Sequence, residues 1–103
     1  MSMRAAENRH IPKAMREDVD RAAHLLKEAG CSEVFIFGSA ATGDVSAGSD
    51  LDVAIRGCPT GRFFELFGRL IRELSRPVDL VNLDAADPFA RRLEEEGQLV
   101  RVA

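Results

Sequence analysis

The stretch Gly38-Ser-Ala-Ala-Thr-Gly-Asp-Val-Ser-Ala-Gly-Ser-Asp-Leu-Asp52 decides how this chain is read, because a glycine-rich turn runs into two carboxylates spaced two residues apart. Side chains alternate along a strand, so Asp50 and Asp52 project from one face with Cα atoms roughly 6.6 Å apart. The turn is bracketed by short apolar runs rich in β-formers, Glu33 to Phe37 before it and Leu51 to Ile55 after it, and both are predicted strands. A third apolar run, Pro77-Val-Asp-Leu-Val-Asn-Leu83, carries a further carboxylate, Asp79.

Working outward, residues 13 to 29 set Met15, Val19, Ala22, Ala23, Leu26 and Ala29 at helical spacing, with Gly30 placed as a C-cap. Residues 61 to 74 bring Phe63, Phe64, Leu66, Phe67, Leu70, Ile71 and Leu74 into an arc of about 160°, which predicts a helix laid on one sheet face. Asp87-Pro88 is an N-cap and first-turn pair for a short helix to Glu96, Gly97 ends it, and Leu99 to Val102 predicts a last strand. The order is α-β-loop-β-α-β-α-β with no dividing linker. One α+β domain over residues 1–103 is expected, its first twelve residues mobile for want of periodic apolar content.

The turn opens like a P-loop, since Gly38 and Gly43 have the strand-Gly-x-x-x-x-Gly spacing, but Asp44 and Val45 stand where Lys and Ser/Thr would follow. Asp44 would repel the phosphates that such a Lys attracts. No Gly-x-Gly-x-x-Gly is present, so a dinucleotide fold is excluded as well. The alternative is a phosphate cradle of backbone N–H groups beside carboxylate-held cations. Gly38 allows close backbone approach, Ser39 offers a hydroxyl, and Gly43 and Gly48 ease the return to the second strand. Asp50 and Asp52 suit Mg²⁺, which takes hard oxygen donors. If the strand of Asp79 lies beside that of Asp52, about 4.8 Å away, the three carboxylates can meet around two ions and serve in-line transfer of a nucleotidyl group.

Gly38-Ser39, Gly43, Ser49-Asp50-x-Asp52 and a later strand Asp together resemble the polymerase-β-type nucleotidyltransferase superfamily, and within it the minimal nucleotidyltransferase group. That resemblance implies a mixed β-sheet with helices packed on one side. It implies Asp50, Asp52 and Asp79 as ligands of two Mg²⁺ ions, with Asp79 also a base for an attacking hydroxyl. Gly38, Ser39, Gly43 and Ser49 would hold the triphosphate of ATP or another NTP. Stand-alone members of the minimal group are often antitoxins of HEPN-domain toxins, some of which they inactivate by moving AMP onto a toxin tyrosine. The chain departs from the pattern at Thr42, where the family usually carries Arg, and Arg56 and Arg62 are the candidates to replace that cation. Its loss motivates a second reading, a binding module that neutralises its partner sterically.

Composition agrees with these classes and removes others. A 46% apolar and 30% charged chain of 103 residues is of globular type and large enough to build its own core. A net charge of −3 argues against duplex nucleic acid as partner. No apolar run reaches membrane-spanning length and residues 1–13 lack the apolar core of a secretory signal, so a cytoplasmic location is expected. Cys31 and Cys58 have no metal spacing and are expected as free thiols. Arg69, Arg72 and Arg76, and separately Arg91 and Arg92, read as solvated helix faces; so does the run Glu94–Glu96. His10 and His24 have no ligand-spaced companion. An exposed edge strand would permit homo- or hetero-oligomers.

Overall fold

In the computed structural model the described residues are 11, 13–38, 50–97 and 99–103. They form helix α1 (Lys13–Glu28), strands β1 (Glu33–Phe37) and β2 (Leu51–Arg56), helix α2 (Phe63–Glu73), strand β3 (Val78–Asn82), helix α3 (Pro88–Glu96) and strand β4 (Val100–Arg101). Every predicted element is present, with ends shifted by a residue or two, as fraying allows. The sheet order is β3-β2-β1-β4. β1 pairs antiparallel with both β2 and β4, while β2 and β3 run parallel, so the sheet is mixed.

Period-two alternation sorts the sheet into two faces. Val34, Ile36, Leu51, Val53, Ile55 and Leu80 join one core with Met15, Val19, Ala22, Ala23 and Leu26 of α1 and Leu66 and Leu70 of α2. The opposite side holds a smaller cluster in which Phe35, Phe37, Ala54 and Leu83 pack with Ala90 and Leu93 of α3. The expected helical layer is thus α1 and α2, and α3 adds a short cover on the second face. Asp87 caps α3, its carboxylate accepting from the Phe89 N–H at 2.9 Å, and Gly97 closes the helix in the left-handed conformation.

Two expectations are corrected, and one described residue bears on a third. The Phe-rich stripe is narrower than its arc: Leu66, Leu70 and Leu74 are buried, whereas Phe64 and Ile71 are 83% and 58% exposed. At 100° per residue those two sit at the rim of the arc, beyond reach of the sheet. Ile11 is 2% exposed within the main core, and its carbonyl accepts from Arg16 Nε, so the apolar edge of the first twelve residues is anchored. The other residues of that segment lie outside the described part. Cys31 and Cys58 are joined as a disulfide linking the α1–β1 turn to the segment after β2, not left as free thiols. The two turns are already pressed together, for a Cβ on Gly30 would lie 3.1 Å from Pro59 Cγ.

Asp18 of α1 is 4% exposed, the one polar or charged residue buried among those described. It is satisfied by Ser75, whose N–H donates at 3.1 Å and hydroxyl at 2.6 Å, and it lies 3.5 Å from Arg76 Nε. Arg76 is therefore turned inward on Asp18 and is not part of a solvated helix face. Pro77 follows, and its carbonyl accepts from the Leu51 N–H at 2.9 Å, so Asp18 sets the point at which β3 meets β2. Asp18→Ala is expected to cost about 3 kcal/mol, because it leaves the largely buried Arg76 without its counter-charge and Ser75 without its acceptor, and Asp18→Asn less; urea unfolding midpoints measure the difference. Thiol titration of the unfolded, unreduced protein should find no free sulfhydryl, and two after reduction.

Candidate active site

The fold brings the three predicted carboxylates to one end of one face. Asp52 pairs in register with Asp79 across the parallel β2–β3 ladder and with Phe37 across the antiparallel β1–β2 ladder. Residues opposite each other in a ladder project from the same side, so Asp52, Asp79 and the Phe37 ring share the second face. Asp50, two residues before Asp52 and immediately ahead of β2, completes the row. Asp50 and Asp79 are exposed, and Asp52 is half-buried between them.

Gly38 ends β1 with φ +68 and lies directly against the Asp52 carboxylate, which occupies the place a Cβ would take. Glycine is needed here twice over, for the left-handed backbone and for the close approach. Ser39, Gly43 and Ser49, together with Thr42, fall outside the described residues.

Burial raises the pKa of the Asp52 carboxyl above its ordinary value, and the neighbouring charges of Asp79 and then Asp50 raise it further. Asp52 therefore feels both of its neighbours electrostatically. Among the described residues no group of three or more His, Cys, Asp or Glu side chains is drawn together closely enough to hold a metal ion. The carboxylates share a face without converging. Their chemistry, hard oxygen donors whose mutual repulsion a cation would relieve, fits Mg²⁺.

Neither arginine suggested as a substitute for the missing loop cation reaches this end. Arg56 lies four residues beyond Asp52 along β2, roughly 13 Å away. It is held there by Glu33 at 3.2 Å, by Glu94, and over the Phe35 ring at 5.4 Å. That network also gives Glu94 a role, while Arg62 is engaged by Glu65 at 2.7 Å. His24 sits on the surface beside Glu28, away from the carboxylates.

Two features of the site were not anticipated. Asp18 supports it from behind, and its signal was a carboxylate three residues after Met15 and one before Val19, on the helix face that packs inward. Phe37 and Phe89 form an edge-to-face pair, ring centroids 6.2 Å apart, next to Asp52. Nothing in the spacing of the two phenylalanines foretold their contact.

A glycine-ended strand facing two parallel strands that carry aligned aspartates defines the nucleotidyltransferase class of fold. The family model for polymerase beta nucleotidyltransferases matches residues 22–101, and the chain belongs to that family. No curated protein matches it by sequence. Among solved structures, a toxin–antitoxin with AMP-PNP superposes with a TM-score of 0.66 at 24% identity, covering 82% of this chain and 71% of that one. The toxin–antitoxin MntA-HepT gives 0.62 at 20% identity, over 85% and 71%. A complex of tri-AMPylated Shewanella oneidensis HEPN toxin with MNT antitoxin gives 0.63 at 20% identity, over 86% and 71%.

The burial of Asp52, with the repulsion from its neighbours, has a consequence of measurable sign. A carboxyl whose folded pKa is raised above 3.8 keeps its proton in the native state after the unfolded state has lost it. Stability therefore falls as pH rises through that window, and the penalty persists at neutral pH. Asp52→Asn should raise the thermal midpoint of the metal-free protein by a few degrees at pH 7, with the gain vanishing below pH 3.8; melting curves across pH test this.

Proposed function

We propose that this chain acts as one Mg²⁺-dependent nucleotidyltransferase domain, moving NMP, most simply AMP, from an NTP to a hydroxyl of a protein partner. The observation that carries the reading is the alignment of Asp52 with Asp79 beside Asp50, against a left-handed Gly38. Asp50 and Asp52 would hold the metal with Asp79 as third ligand; when bound, the ions supply neutralisation of the triphosphate and of the charge that develops on it. Gly38, Ser39, Gly43 and Ser49 are assigned to the phosphates. Asp79, exposed at the sheet edge, would accept the proton of the incoming hydroxyl. The hydroxyl oxygen bonds to the α-phosphorus, the bond to the β-bridging oxygen breaks, and pyrophosphate leaves.

The partner class is supported by two of the structural neighbours, a tri-AMPylated HEPN toxin in complex with MNT antitoxin and a toxin–antitoxin with AMP-PNP. We place this chain with them, as the antitoxin of a HEPN toxin, working in the cytoplasm as part of a hetero-oligomer. A reducing compartment would hold Cys31 and Cys58 as two adjacent thiols.

The test uses α-labelled NTPs with Mg²⁺ and a HEPN toxin that binds the chain. Label should pass to the toxin, and Asp50→Asn/Asp52→Asn should reduce transfer by about 10³-fold or more, the scale expected when transition-state charge is left unneutralised. Mg²⁺ should raise the thermal midpoint of the wild-type chain and leave that of the double variant unchanged. A second reading rests on the engagement of Arg56 and Arg62 elsewhere: the chain neutralises its partner by binding alone. Full neutralisation by the double variant would favour that reading and sink the catalytic one.

A further inference from the structure

We propose that Phe89 is the platform on which the nucleobase of the substrate stacks, and that it selects purine nucleotides; this rests on the nucleotidyltransferase reading above. Phe89 is the second residue of α3, and it is 48% exposed although its helix neighbours Ala90 and Leu93 are buried against the sheet. Its ring stands edge-on to Phe37 at 66°, and Phe37, itself buried, is the register partner of Asp52. The row of carboxylates thus continues, on the same sheet face, into an aromatic pair whose outer ring is open. Register partners lie about 5 Å apart at Cβ and the paired rings about 6 Å, so Phe89 sits on the order of 10 Å from the carboxylate. That is about the length of a ribose and its base measured from an α-phosphate at the metal site.

The mount is rigid. Asp87 holds the Phe89 N–H and Pro88 fixes the first turn, so the ring is oriented before any ligand arrives. Phe64, more exposed still, is on α2 on the other side of the sheet and cannot serve. Stacking on an aromatic face is sequence-tolerant because every base has a π-face, and a purine offers the larger one. A single ring without a hydrogen-bonding partner for base edges should therefore favour ATP and GTP over CTP and UTP, and discriminate weakly between the two purines.

The chain has no tryptophan or tyrosine, so Phe89→Trp introduces a single reporter at the site. With Mg²⁺ present, ATP and GTP should quench its fluorescence and inorganic tripolyphosphate should not, while Phe64→Trp should respond to none of them. Phe89→Leu keeps the apolar packing on Phe37 and removes the π-face. It should bind ATP about tenfold more weakly than wild type, bind tripolyphosphate equally well, and keep the wild-type melting temperature, a loss within the usual range for one stacked base. Wild-type ATP affinity in Phe89→Leu, or an equal loss for tripolyphosphate, overturns the platform and leaves the phosphate and metal reading standing. Failure of the wild-type chain to bind either compound sinks both.

Discussion

A single buried carboxylate governs where the parallel half of the sheet begins. Two parallel strands cannot be joined by a tight turn, so the chain leaves β2, crosses through α2 and must return at the right residue. Asp18 supplies that point by holding Ser75 through both its N–H and its hydroxyl, two residues before Pro77 joins the Leu51 N–H. A one-residue slip of β3 would turn Asp79 to the side of α1 and α2 and bring Leu80 to the second face. The helix on the far side of the sheet thereby fixes the pairing of Asp52 with Asp79.

The charges of the molecule are divided with a purpose that follows from this frame. Arg56, Arg101 and Glu33 form one network at the end of the sheet away from Asp50 and Asp52, extended by Glu94 from α3. Arg62 and Arg69 are matched along α2 by Glu65 and Glu73. Among the described residues the carboxylate end receives no arginine in return, and Asp52 carries the electrostatic penalty. An end so arranged gains from a diffusible cation what it lacks in fixed ones, at some cost in stability when none is bound.

Much of this was readable beforehand. Alternation in Asp50-Leu-Asp52 and in Val78-Asp-Leu80 determines which residues point together, and no tertiary knowledge is needed for it. The adjacency of the two strands was conditional, because a parallel pairing depends on a crossover whose path is set by contacts of α1. Asp18 is hard to read for the same reason: in a sequence a carboxylate on a helix is ordinarily solvent-facing, and its burial is explained by its contacts with Ser75 and Arg76. The disulfide joins residues 27 positions apart, a proximity created by the antiparallel β1–β2 pair. Phe64 and Ile71 look like core by period alone, and the finite width of the helix–sheet contact leaves them outside.

β3, the strand that carries Asp79, is the outermost of its sheet. Among the described residues no strand flanks it on the far side, so Asp79 stands on an open shelf at the edge of the sheet. For the proposed transfer, such a shelf would admit an acceptor hydroxyl that belongs to a folded protein, which could not be threaded into a closed cavity. It also leaves water free to compete for the same phosphorus. A docking macromolecule would then have to serve as the missing wall of the site, so that the acceptor's own bulk excludes the solvent that would otherwise spend the nucleotide.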